Sequence, residues 1–267
     1  MSYEHIIFEQ RGRVGVVTLN RPERLNAWTD TMNREMRDAV ERCNADDGVD
    51  AIVFTGAGRA YCAGADVSGF KAAVDRVEAG GAVRGGSATL GEDNWVEFLK
   101  RMPKPTIAAI NGASVGVGLT HVLPMDIRIA GENARFGTFF IKMALVPELA
   151  SSYYLSQLVG TGRALEWCLT SRMIEPQEAL AAGLVTEVVP ADRLVDRAVE
   201  LGTMIGAQSV TSIAQIKKLF QQNATDSDTR RVMAREGEAL GVTRASAEHK
   251  EAVNAFLEKR PANFARG

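Results

Sequence analysis

The sequence predicts an α/β protein, and three observations carry that prediction. Short apolar, β-branched runs, each ending at Gly, Asn or Pro, recur through the first 190 or so residues. Segments between them carry apolar residues at helical spacing. After about Asp192 the runs stop, and the pattern is helical to the end.

Taken in order, the predicted strands are Val14 to Leu19 before Asn20-Arg21-Pro22, Ala51 to Thr55 before Gly56, and Thr106 to Ile110 before Asn111-Gly112. Asp126 to Ala130 before Gly131 and Leu184 to Val189 before Pro190 complete the set. Their near-continuous apolarity predicts a sheet covered on both faces. From Thr29 to about Asp46, Met32, Met36, Ala39, Val40 and Cys43 fall on one helical face. Pro176 opens another helix and Gly183 ends it, as Pro at the first helical position and Gly at a C-terminal cap do. Across residues 67–105, Ala79-Gly80-Gly81-Ala82 and Gly85-Gly86-Ser87 predict a mobile loop beside a helix containing Trp95, Phe98 and Leu99. The division expected is residues 1–192 as an α/β core and 193–267 as a helical subdomain. Leu219-Phe220, Val232-Met233, Leu240, Val253 and Phe256-Leu257 mark its apolar stripes.

Composition narrows the function classes. A chain of 267 residues can bury roughly 70–75% of its unfolded surface and needs no metal or disulfide staple. With 46% hydrophobic and 24% charged residues it is ordinary globular material. The 31 basic and 33 acidic side chains leave −2, with no basic block, so nonspecific nucleic-acid binding has no electrostatic footprint. Cys43, Cys62 and Cys168 are odd in number and far apart, which argues against structural zinc and a disulfide framework. Met1-Ser2-Tyr3-Glu4-His5 lacks a signal-peptide core, and no stretch approaches the ~18 apolar residues of a membrane span. The expectation is a soluble, reduced, cytoplasmic protein.

Several chemistries have no motif. Gly56-Ala57-Gly58 has Tyr61 where the dinucleotide fingerprint needs a third Gly, and neither a phosphate loop nor HExxH occurs. His5, His121 and His249 are scattered, which suits structural roles. Gly112-Ala113-Ser114-Val115-Gly116 matches GxSxG between a strand and a helix. With Asp192 or Asp196 and then His249 it has the chain order of a serine hydrolase. No HGGG-type segment precedes it, and Ser114 as a small residue filling a tight turn is the alternative.

Two Gly-rich turns stand out together: Ala63-Gly64-Ala65-Asp66-Val67, and Gly116-Val117-Gly118 opening a helix through Leu119 to Val122. Each can present a backbone N–H, and two N–H groups converging on one point make an oxyanion hole.

Through these turns the chain resembles the crotonase superfamily, the enoyl-CoA hydratases and isomerases, over nearly its whole length. The matching segments are Leu19-Asn20-Arg21-Pro22, Arg24-Leu25-Asn26-Ala27, Cys62 to Val67, Pro105 to Gly112 and Asp126 to Ala130. Ala134-Arg135-Phe136, Leu145-Val146-Pro147-Glu148, Leu158-Val159-Gly160, Ala182 to Val185 and Phe256 to Arg260 follow in order. The resemblance implies a spiral of ββα units with a C-terminal helical subdomain, assembled as a homotrimer or dimer of trimers. It implies an acyl-CoA thioester as substrate, with no cofactor or metal beyond the coenzyme A of the substrate itself. By motif, the N–H groups of Ala65 and Val117 would hold the thioester carbonyl. Arg24, Leu25, Ala27, Ala63, Asp66 and Val67 would border the coenzyme A, with Phe256 and Lys259 reaching in from a neighbouring subunit.

Departures from the family pattern bear on the reaction. Hydratases of the family use two glutamates, and the matching positions here hold Thr120 and Phe140. Glu148 instead aligns with the single acid of some family isomerases. Leu149, Phe139, Phe140 and Trp95 nearby would raise its pKa by desolvation, which suits a proton shuttle. An N-cap or first-turn acid of the helix starting near Ser151 is the plain alternative. Phe139, Phe140, Trp95, Val117, Leu119 and His121 suggest an apolar acyl pocket. The expected activity is double-bond isomerisation by Glu148. A hydratase with atypical acid/base residues, a weakly catalytic acyl-CoA binder and, more distantly, a hydrolase using Ser114 are the alternatives.

Overall fold

A computed structural model describes residues 3–66, 74–80 and 94–264. In chain order its elements begin with β1 (Ile6–Arg11), β2 (Val14–Leu19), α1 (Asp30–Ala45), β3 (Ala51–Gly56), β4 (Ala60–Cys62), α2 (Trp95–Arg101), β5 (Thr106–Ile110), β6 (Ala113–Val115) and α3 (Val117–Thr120). Then come β7 (Ile127–Gly131), β8 (Arg135–Gly137), α4 (Ser151–Val159), α5 (Thr161–Thr170), α6 (Pro176–Ala182) and β9 (Glu187–Val189). Four helices close the chain: α7 (Leu194–Gly206), α8 (Val210–Asn223), α9 (Thr229–Arg244) and α10 (Ala247–Leu257).

The five predicted strands, β2, β3, β5, β7 and β9, form one sheet with β1 in the order β1-β2-β3-β5-β7-β9, parallel throughout except for β1, which returns antiparallel on β2. Period-2 alternation splits the strand side chains between two cores. Val17, Leu19, Ile52, Phe54, Ala108, Ile110 and Ala130 face one, with Met32, Met36, Ala39, Val40 and Cys43 of α1. Val14, Val16, Val53, Ile107, Ala109 and Ile129 face the other. Both faces are covered, as the unbroken apolar runs require. Thr29 caps α1, its hydroxyl accepting from the Met32 N–H at 3.1 Å. Fully burying side chains of this size stabilises by about 1.5–3 kcal/mol each.

The second face is covered by α7 through Leu194 and Ala198. Gly202 and Gly206, one turn apart, let it come close: a Cβ on Gly202 would lie 3.0 Å from Val14 and one on Gly206 2.6 Å from Asp50. The helix at residues 194–206, the first after Asp192, thus belongs to the sheet's packing. The separate helical layer is α8 to α10.

A smaller parallel sheet, β4-β6-β8, has three residues in each strand. Its strands lead into the turns that build the site. Val67 and most of the Gly-rich stretch between 67 and 93 lie outside the described residues, including Ala82 and Gly85-Gly86-Ser87. The expected helix around Trp95 is α2. No helix among the described residues is long and apolar enough to cross a membrane.

Candidate active site

The segment after β2 is shaped by Asn26. Leu25 and Asn26 are consecutive left-handed residues, at φ 51° and 55°, a conformation that costs L-residues about 1–2 kcal/mol each. Buried hydrogen bonds offset this: Asn26 Nδ2 donates to Ala57 O at 2.9 Å and Ala60 O at 2.8 Å, and its Oδ1 accepts from the Arg21 N–H at 2.8 Å. The chain is thereby laid against residues 63–66. The Ala63 N–H donates to Leu25 O (3.0 Å), that of Trp28 to Gly64 O (2.8 Å) and that of Asp66 to Trp28 O (3.1 Å). Leu25, Ala27, Ala63 and Asp66, predicted together, are brought together. Asp66 pairs with Arg21 at 3.0 Å, so its carboxylate has a structural partner. Arg24 is exposed at the edge of this loop.

The two Gly-rich turns meet. Gly64 has φ +110° and Gly116 φ +53°, and a Cβ on Gly116 would sit 4.0 Å from the Gly64 Cα. A Cβ on Gly118 would overlap the Cys62 carbonyl, so only glycine lets α3 pack on the end of β4. Ala65 faces Trp28 in a single parallel bridge whose hydrogen bonds use Gly64 O and the Asp66 N–H. Its own N–H therefore points away from Trp28. Val117 is the first residue of α3, where a helical N–H has no intrahelical acceptor. Neither N–H finds a backbone acceptor among the described residues. Two such donors side by side can hold one carbonyl oxygen and stabilise negative charge on it.

Glu148 reaches the same place. Its Oε1 accepts from the Thr120 hydroxyl at 2.6 Å. Thr120 ends the short helix that Val117 begins, so this hydrogen bond ties the Glu148 carboxylate to α3. Desolvation pushes the Glu148 pKa above the ordinary carboxylate value, and the Thr120 hydrogen bond pulls partly against it. The next two residues, Leu149 and Ala150, are left-handed at φ 50° and 55°. Their strain turns the chain into α4 while Glu148 stays half-buried. Glu148 contributes only its backbone carbonyl to the start of that helix, accepting from the Ser151 N–H at 2.9 Å, and the helix has no side-chain cap. The first-turn-acid alternative therefore does not describe its side chain.

Other expected residues are placed differently. Trp95, Leu119 and His121 are core residues rather than walls of an open acyl pocket. Trp95 Nε1 donates to His121 O at 2.8 Å, and Trp28, Phe54 and Phe98 ring its indole. Phe140 is buried and leads into a short 3-10 turn at Ile141–Met143, and Phe139 lies under the Lys142 ammonium at 3.8 Å. Phe256 and Lys259 are exposed, Phe256 at 82%. Ser114 is fully buried and its hydroxyl donates to Gly118 O at 2.8 Å. His249 lies exposed on α10, Asp196 pairs with Arg11, and both ring nitrogens of His121 have other partners. The GxSxG segment is thus a tight turn without a triad. A cavity of about 700 Å³ between the β5–β7 edge and the helices α7, α8 and α10 contains neither Glu148 nor the two turns. Among the described residues no group of three or more His, Cys, Asp or Glu could hold a metal ion.

Sequence reasoning missed Tyr61 and the role of Asn26. Tyr61 registered only as the residue that breaks a dinucleotide motif, although a tyrosine amid a fully apolar strand is a sign of a buried hydrogen bond.

Residues 9–267 match the model of the Enoyl-CoA hydratase/isomerase family. Among curated proteins, the chain is 33% identical to a crotonyl-CoA hydratase of Syntrophomonas wolfei over 99% of both chains. It is 32% identical to the 1,2-epoxyphenylacetyl-CoA isomerase of Escherichia coli over 98% of both. Among solved structures, an enoyl-CoA hydratase subunit I from Geobacillus kaustophilus superposes with a TM-score of 0.87 at 30% identity, covering 98% of each chain.

Proposed function

Because the chain belongs to the enoyl-CoA hydratase/isomerase family, we propose that it shifts the double bond of an enoyl-CoA thioester, with Glu148 as the single proton carrier. The observation that carries this reading is the raised, half-buried carboxylate of Glu148 held by Thr120, while Thr120 and Phe140 occupy the positions of the two hydratase glutamates.

In the proposed reaction the thioester oxygen accepts hydrogen bonds from the Ala65 and Val117 N–H groups. The Glu148 carboxylate takes a proton from C2 of a 3-enoyl thioester. The C–H electron pair becomes part of a dienolate whose charge rests on the thioester oxygen. Glu148, now the acid, returns the proton at C4, giving the 2-enoyl thioester with no atom gained or lost. A base with a raised pKa suits both halves, since it must take and release a proton near neutral pH. Arg24, Leu25, Ala27 and Ala63 are assigned to the coenzyme A, with Arg24 toward a phosphate. Phe256 and Lys259, exposed on and just after α10, are assigned to a neighbour's site in a homotrimer or dimer of trimers.

Relatives named as hydratases favour a second reading, water addition with an atypical acid/base set. A panel of CoA thioesters read by mass spectrometry separates the two. Unchanged mass with a moved double bond means isomerisation, and a gain of one water means hydration. Calorimetric binding with no conversion means a binder.

A further inference from the structure

We infer that Tyr61 and His121 form a buried strut that fixes the two Gly-rich turns against each other, making His121 a positioning residue for the thioester oxygen. The inference rests on the reading of Ala65 and Val117 as donors to that oxygen. Tyr61 lies on β4, the strand that runs into the Ala65 turn. Its hydroxyl is 3.0 Å from His121 Nε2, and His121 Nδ1 is 2.8 Å from Val117 O. A carbonyl oxygen can only accept, so Nδ1 carries the proton and Nε2 accepts from Tyr61. One neutral tautomer thus links the strand before one donor to the residue that supplies the other.

The surroundings hold the strut in place. Both side chains are fully buried. Their rings stack at 5.4 Å with 12° between planes. Trp28, which faces Ala65 across the single bridge, packs on the His121 ring at 4.8 Å. Trp95 fixes the His121 carbonyl from behind. An apolar pair could fill this space without any demand for hydrogen-bond partners. What tyrosine and histidine add is direction: each bond has a fixed length and angle, and together they set the spacing of the turns. Oxyanion donors act only when they lie about 2.7–3.1 Å from the developing charge, and losing one costs about 10²–10³-fold in turnover. A small slip between the turns therefore reaches the reaction without any contact between His121 and substrate.

The test uses Tyr61→Phe, which keeps the ring and its stacking, and a bound aryl-conjugated enoyl-CoA whose absorption moves to the red as its carbonyl is polarised. Wild-type protein should shift the absorption. Tyr61→Phe should shift it less and lose about tenfold in kcat with KM within about twofold. A full red shift with wild-type kcat in Tyr61→Phe overturns the strut. No shift in wild-type protein overturns the reading of Ala65 and Val117, and the strut with it. Should Tyr61→Phe not fold, the imidazole ¹⁵N spectrum of wild-type protein decides. A neutral His121 protonated at Nδ1 supports the strut, and protonation at Nε2 excludes it.

Discussion

The Thr120 hydroxyl donates to Glu148 Oε1 at 2.6 Å, joining the last residue of α3 to the carboxylate proposed as the proton carrier. The bond favours the ionised form and opposes the desolvation that raises the pKa. In Thr120→Val that opposition is gone and the pKa rises further. The proposed proton abstraction needs the carboxylate, so on that reading activity falls as pH drops through that pKa. The acid limb of the kcat/KM profile should therefore move to higher pH in Thr120→Val and return in Thr120→Ser. A profile unmoved in Thr120→Val would exclude a hydrogen bond that matters to the base.

Glu148 should also be a source of instability. Its folded pKa lies above its unfolded value, so between the two the folded state holds the proton and the unfolded state does not. Stability is lost as pH rises through that window and stays lost above it. Glu148→Gln removes the charge and keeps an oxygen for Thr120. Thermal unfolding at pH 7–8 should show Glu148→Gln at least as stable as wild type, with the gap closing on acidification. A variant clearly less stable at pH 8 would contradict this sign.

His121 carries the opposite sensitivity. Burial pulls its pKa down to about 4, below the ordinary 6.5. Below pH 6.5 the unfolded chain takes up a proton that the folded chain does not, so stability falls until about pH 4. The full difference is on the order of 3 kcal/mol. Chemical denaturation between pH 4 and 7 should show this slope in wild type and a shallower one in His121→Leu.

Two glycines should respond in opposite directions to the same change. Gly118→Ala drives a methyl into the Cys62 backbone, whereas a Cβ on Gly237, within α9, has nothing within 4 Å. Gly118→Ala should lower the melting temperature markedly. Gly237→Ala should raise stability by about 0.5–1 kcal/mol, the helix preference for Ala.

How far the fold could be read follows from where its signals lie. The α1 stripe and the β2, β3 and β5 runs are local, and they appear where periodicity predicts them. β1 escaped because Ile6 is its one buried residue, as befits an edge strand. β4, β6 and β8 are too short for any period to register. The packing of α7 was legible only through Gly202 and Gly206, a pair easily passed over as ordinary helix. The two Gly-rich turns stood out by themselves, but the choice of Ala65, Val117 and Glu148 came from family resemblance, since nothing local shows that Thr120 and Glu148 touch. The Tyr61–His121 contact spans 60 positions and left no pattern, and Trp95 read equally well as pocket wall or core.

Conversion of a 3-enoyl-CoA by wild-type protein and Glu148→Gln, followed by mass and by the position of the double bond, tests the proposed chemistry most directly. Isomerisation through one carboxylate requires 2-enoyl product of unchanged mass from wild type. It also requires a loss on the order of 10²–10⁴ in turnover in Glu148→Gln, with thioester binding retained. Undiminished conversion in Glu148→Gln, or water addition as the main wild-type reaction, would contradict it.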